Sequence, residues 1–201
     1  MTRHAFSYAI GLILLLLVLP SGPRRTLPEK AFLSALPSPA GTYPAVPEAL
    51  GRYEPLLRQY AAGIGWDWRL LAAIVYHESR FNSTAQSEKG ATGLMQILSP
   101  RYSVDTLLIP AVNLSIGTAY LQKLENMFDA ASPSDSLQFA LAAYNLGDGK
   151  VKRMVAQADS AGMDPTRWEE VSRLLPRGHH TVSYVDKVME TFRQYSWQLP
   201  R

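Results

Sequence analysis

Residues 67–81, DWRLLAAIVYHESRF, leave the chain less choice than any other segment. At about 100° per residue, Leu71, Ile74, Val75, Glu78 and Phe81 fall in one wedge roughly 100° wide, the spacing of an amphipathic helix that faces a core. Asp67 is placed to cap its first turn, because a short side-chain acceptor there satisfies an N–H that the helix leaves unpaired. Arg69, Ala72, Tyr76 and Arg80 fall opposite and predict a solvent face. Glu78 therefore stands on the apolar stripe although the other side offers polar positions. A carboxylate so placed loses hydration in its charged form, which raises its pKa and keeps a proton available near neutral pH, as a general acid requires. A glutamate at a fraying helix end, half in water and paired with Arg80, is the competing reading of the same residues.

From residue 51 onward the helical period recurs. Helices are expected over roughly 54–62, 67–81, 111–128, 135–146, 148–158, 167–174 and 180–197, with Pro55 suited to a first turn and Asp135 to an N-cap ahead of LQFALAAY. No alternating apolar run bounded by turn signals calls for a sheet, and there is no internal repeat. The expectation is a mainly α domain over residues 51–201. The chain of 201 residues, 47% hydrophobic, can fill one such core.

Two segments precede it. Arg3 and His4 lead into AFSYAIGLILLLLVL, an apolar run of about 15 residues, so residues 1–22 are expected to be a signal sequence or a membrane anchor. The PSGPRR that follows offers no A-x-A-like cleavage site. Seven of the fourteen prolines lie between residues 20 and 47 among Ser, Ala, Gly and Thr, and residues 23–50 read as a Pro-rich linker. The formal charge of +3 is carried mostly by these first 50 residues; from residue 51 there are 16 basic against 15 acidic side chains. A near-neutral domain lacks the clustered cations that nucleic-acid binding needs, so no nucleic-acid partner is expected. The absence of cysteine excludes disulfides, thiolate nucleophiles, cysteine metal sites and a lipid-modified N-terminal cysteine.

The adjacent His77 and Glu78 invite a zinc-protease reading, but H-E-x-x-H needs a second histidine where this chain has Phe81. His179 and His180 are neighbours in sequence and are not spaced as ligands on one helix face, so no metal site is expected. Downstream, SEKGATGLMQIL sets Gly90 and Gly93 in a polar turn before Gln96, whose amide offers a donor and an acceptor to sugar hydroxyls or acetamido groups. LQFALAAYNLGDGKV puts Tyr144 and Asn145 at the end of an apolar helix, where Asn145 serves equally well as a helix terminator. HHTVSYVDKVMETF puts Tyr184 near the start of the last helix. Taken singly, each has an ordinary structural explanation.

In order, HES at 77–79, GLMQ at 93–96, AYN at 143–145 and SYV at 183–185 resemble the motifs of the soluble-lytic-transglycosylase-like family, the goose-type-lysozyme-like murein lytic transglycosylases. The resemblance covers about residues 51–196 and includes the connecting stretch IPAVNLSIGTAYL. It implies a lysozyme-like helical fold whose cleft binds peptidoglycan glycan strands, on the periplasmic side of the cell envelope. It further implies one glutamate, Glu78, acting first as acid and then as base. Most glycosidases use two carboxylates, and none of the other motifs here carries a second one. By the same resemblance Ser79 would orient the glutamate or an acetamido group, Gln96 and Asn145 would hold sugar substituents, Met95 and Tyr144 would line the cleft, and Tyr184 would hydrogen-bond near the acid. No cofactor is implied. Further partners implied are the membrane, if residues 1–22 are retained, and proteins of an envelope machine. A non-enzymatic peptidoglycan-binding scaffold and a muramidase-type hydrolase are the alternatives on the same fold. The segment ILSPRYSVDTLLIPAVN does not look like a full β-containing insertion, so any β element there is expected to be small.

Overall fold

The computed structural model describes residues 45–129 and 131–200; the N-terminal apolar segment and all but the last residues of the Pro-rich stretch lie outside them. Eight helices are found among the described residues: α1 (Glu48–Ile64), α2 (Trp68–Ser79), α3 (Val104–Leu107), α4 (Pro110–Asn126), α5 (Pro133–Leu146), α6 (Asp148–Ser160), α7 (Trp168–Ser172) and α8 (His180–Gln198). They form a mainly α domain with no strand among the described residues. Its only β pairings there are two isolated bridges, Gln86 with Thr92 and Thr92 with Ile97, which lie ahead of the 98–113 stretch. None of these helices is long and apolar enough to cross a membrane.

α1 begins earlier than the pattern predicts. Leu50 and Tyr53 are buried, so the folded part starts inside the stretch read as linker. Pro55 therefore lies within the helix rather than in its first turn, where its missing N–H leaves one i→i−4 bond unmade. α5 likewise starts early: Ser132 is its N-cap, accepting from the Asp135 N–H at 3.2 Å. Asp135 has another task, accepting from the backbone N–H of Trp168 at 2.9 Å and so tying α7 to α5.

α2 is the central helix, packed against α1 on one side and α8 on the other, while α5 packs on α4, α6 and α8. Asp67 caps α2 as expected, accepting from the Arg69 N–H at 2.8 Å. The solvent face expected opposite the stripe is absent over most of the helix. Ala72 is fully buried and Arg69 is only 2% exposed, because the end of α8 covers them. Arg69 can be buried because its charge is matched: its guanidinium pairs with Asp67 and donates to the carbonyls of Ser196 and Leu199 at 3.3 Å each. Those carbonyls belong to the helix end, which has no intrahelical donors for them. Only the last turn of α2 opens to solvent, and Glu78 is in it.

Candidate active site

α2 ends one residue after Glu78. Arg80 and Phe81 both take left-handed backbone, with φ of 53° and 61°, a conformation that costs a non-glycine residue about 1–2 kcal/mol. Burial of the Phe81 ring and the Arg80 guanidinium lying 3.9 Å over Tyr76 offset that cost. Arg80 is thereby occupied on Tyr76, and the competing pairing with Glu78 does not form. The sharp reversal brings residues 92–97 back against the helix end.

There Thr92 and Ile97 exchange both backbone hydrogen bonds at 3.0 Å, closing a four-residue turn, GLMQ. Three helices pin it. From α2, the Ser79 hydroxyl donates to the Leu94 carbonyl at 2.9 Å. From α4, the fully buried Asn113 accepts from the Met95 N–H at 2.8 Å and donates to the carbonyls of Thr92 and Leu107 at 2.8 and 2.9 Å. From α5, the Tyr144 hydroxyl donates to the Met95 carbonyl at 2.7 Å. Gly93 sits at φ 79°, and a Cβ there would lie 2.3 Å from Asn113 Nδ2 and 2.5 Å from the Leu107 carbonyl, so both conformation and space require glycine.

This geometry changes several expected roles. Met95 does not line a cleft with its side chain: it is fully buried, packed on Gly117 so closely that a Cβ there would stand 2.3 Å from its sulfur. The turn's polar edges are satisfied through its backbone, which leaves the thioether to fill the core. Ser79 is spent on the Leu94 carbonyl and on that of Val75, not on Glu78. Gln96 directs its amide donor inward, to the carbonyls of Gly93 and Ala85 at 3.0 and 3.2 Å, leaving its Oε1 as an acceptor.

Glu78 and Tyr184 are brought together. Glu78 is half-buried, and its Oε1 accepts from the Tyr184 hydroxyl at 2.6 Å. Burial raises its pKa from 4.5 to about 7, against the opposing effect of the Tyr184 hydrogen bond. Among the described residues no charged side chain contributes to that shift. The Tyr144 and Tyr184 phenols are pushed well above their ordinary range, by burial first and then by the Glu78 charge, and remain neutral donors. Asn145 is exposed at the end of α5 and accepts from the Thr181 hydroxyl at 2.8 Å, and its Nδ2 has no partner among the described residues. His77 points away: its Nε2 pairs with Thr191 at 2.8 Å, and desolvation, followed by the charges of Arg80 and Lys187, lowers its pKa to about 4.

Sequence reasoning missed Asn113, Gly117 and Thr181. Asn113 carried the same signal as Glu78, a polar residue on a buried helical face, here with Leu114, Gly117, Leu121 and Leu124. Thr181 had no such signal, since a hydroxyl at the start of a helix is unremarkable.

These features define a helical domain of lysozyme-like fold in which a single protonatable carboxyl, held by a phenol, stands at the open end of the central helix. The chain belongs to the Transglycosylase SLT domain family, which it matches over residues 55–165. It is 35% identical over 160 residues to a membrane-bound lytic murein transglycosylase F of Desulfosudis oleivorans, covering 70% of this chain and 35% of that protein. A protein of the same description from Pseudoalteromonas translucida is 34% identical over 173 residues, covering 76% and 36%. The chain thus spans about a third of the length of these curated relatives. Among solved structures it resembles the 70 kDa soluble lytic transglycosylase of Escherichia coli, with a TM-score of 0.58 and 30% identity over 72% of this chain and 24% of that one. The complex of the 70 kDa soluble lytic transglycosylase with bulgecin A gives a TM-score of 0.59 at 29% identity, covering 74% of this chain and 25% of that one.

Proposed function

We propose that the protein is an exported lytic transglycosylase that cleaves the β-1,4 bond between N-acetylmuramic acid and N-acetylglucosamine in peptidoglycan, leaving 1,6-anhydro ends. The observation that carries this reading is Glu78: one half-buried carboxyl with its pKa near 7, hydrogen-bonded by Tyr184 and shifted by no other charged side chain among the described residues. A group of that pKa can give a proton and take one back in a single catalytic cycle at neutral pH.

In the first step Glu78 transfers its proton to the bridging oxygen as the bond to the muramyl anomeric carbon breaks. The electron pair leaves with the glucosamine, and the substrate's own acetamido oxygen supports the positive charge at that carbon. In the second step the Glu78 carboxylate removes the proton of the muramyl 6-hydroxyl, whose oxygen bonds to the anomeric carbon. Glu78 regains its proton and no water is consumed. Tyr184 steadies the carboxylate between the steps by donating to Oε1. Asn145 Nδ2 and Gln96 Oε1 are the groups left to hold sugar substituents. The apolar segment of residues 1–22 and the description of the relatives as membrane-bound support placing the protein in the cell envelope, facing the wall.

Mass analysis of fragments released from purified sacculi tests this reading. Ends one water lighter than hydrolysis products are expected, whereas reducing ends would make the protein a muramidase. Persistent binding without fragments would make it a scaffold.

A further inference from the structure

The first turn of α8 carries two hydroxyls three residues apart, on one face of the helix, and each donates to a side-chain oxygen of a different helix. Tyr184 donates to Glu78 on α2, and Thr181 donates to Asn145 Oδ1 on α5 at 2.8 Å. Thr181 is fully buried, and Asn145 is the one partner of its hydroxyl among the described residues. Breaking that bond would leave a donor unsatisfied in the core, which holds the pair together even though Asn145 itself is exposed. The backbone of Thr181 is fixed as well, because its N–H is accepted at 3.2 Å by Nδ1 of His179, the N-cap of α8.

A side-chain amide can present either its oxygen or its NH2 group to a ligand, and rotation about its last bond exchanges the two. We propose that Thr181 is a positioning residue for glycan binding: it holds the Asn145 amide with the oxygen toward α8, so that only the Nδ2 donor is presented and an acceptor oxygen of the sugar is selected at that point. Thr181 acts through Asn145 and needs no contact with the sugar. Because Thr181 and Tyr184 share one turn, the donor on Asn145 and the acid on Glu78 are both referred to the same rigid piece of α8. That common reference ties the place of a bound sugar to the place of the acid, as a reaction that depends on orientation requires. The inference rests on the function proposed above, which supplies the glycan as ligand, and adds the residue that sets the polarity Asn145 offers to it.

The test compares full-length wild type with Thr181→Val, which removes the hydroxyl and keeps the shape, and Thr181→Ser, which keeps the hydroxyl. Two quantities are read: calorimetric binding of an N-acetylglucosamine tetramer, and turnover of soluble glycan strands. Thr181→Val should weaken tetramer binding and raise KM roughly fivefold, the worth of one net hydrogen bond, with the loss in KM rather than kcat, and Thr181→Ser should restore both. Asn145→Ala should also weaken binding, and adding Thr181→Val to it should bring no further loss, because the amide through which Thr181 acts is gone. Equal binding by wild type and Thr181→Val overturns the inference, as does a Thr181→Val loss that persists undiminished beside Asn145→Ala. So does a shift in the alkaline limb of kcat/KM in Thr181→Val, which would mean that the whole turn has loosened and Tyr184 with it. Asn145→Asp keeps an oxygen for Thr181 but has no donor to offer, so full tetramer binding by that variant overturns the inference whether or not Thr181→Val folds. If the wild type releases no fragments yet binds the tetramer through Thr181 and Asn145, the proposed activity fails and the positioning role stands; if it neither cuts nor binds, both fall.

Discussion

Replacing Glu78 with Gln separates what the carboxyl does for chemistry from what it costs the fold. A folded-state pKa near 7 against 4.5 for the free side chain means that the native protein holds this proton where the unfolded chain has lost it. Between pH 4.5 and 7 the unfolded state therefore binds fewer protons, and stability from this group falls as pH rises through that window. The shift corresponds to about 3 kcal/mol once pH exceeds 7. Glutamine keeps an acceptor for Tyr184 and has no charge to desolvate, so it resembles the protonated acid at every pH. Denaturant unfolding of the two proteins should then coincide near pH 4 and diverge to about 3 kcal/mol in favour of the variant at pH 8, or roughly 6–12 °C in Tm for a domain of this size. Turnover should fall by at least 10²–10⁴-fold, the usual worth of a general acid. A difference in stability that is flat with pH would show that Glu78 ionises like an exposed glutamate, and the acid role at neutral pH would lose its physical basis.

Tyr184→Phe removes the donor that favours the ionised form, so the Glu78 pKa should rise further. The alkaline limb of kcat/KM, set by loss of the Glu78 proton near pH 7, should move to higher pH while the maximum falls; an unmoved limb would exclude Tyr184 from the acid's environment. Asn113→Ala strands the Met95 N–H and the carbonyls of Thr92 and Leu107 in the core, which should cost at least about 3 kcal/mol in denaturant unfolding. Asn113→Asp should not restore it, because a carboxylate cannot donate to the two carbonyls, and full stability in either variant would count against the pinned turn. Gly117→Ala forces a methyl into the Met95 sulfur and should destabilise by about 1–3 kcal/mol, measured the same way. A neutral result would mean that Met95 moves freely.

Much of this architecture is legible in the residues, and the limits of that legibility follow from what periodicity can encode. The stripe through Leu71, Ile74 and Val75 located Glu78 because helical spacing fixes which side a residue takes. It could not tell that the opposite side is also buried, since Arg69 becomes a core residue only when the end of α8, some 130 positions later, brings its carbonyls to it. The starts of α1 and α5 were misplaced for a local reason: Pro55 and Asp135 have the chemistry of helix starts, yet Pro47 and Ser132 occupy those positions. The motif residues divide between two tasks in the structure. Ser79, the backbone of Met95, the Gln96 amide donor and the Tyr144 hydroxyl are all engaged in fixing a four-residue turn against the end of α2. Glu78, its partner Tyr184 and the free end of Asn145 are what that arrangement leaves uncommitted to the turn. Residue type announces that a polar group needs a partner but not whether the partner is protein or ligand, and that choice depends on which backbone groups the fold leaves unpaired. An acid with a raised pKa has to keep its desolvating neighbours in place throughout the reaction. Most polar atoms of these motifs are accordingly spent on rigidity, and few remain for recognition.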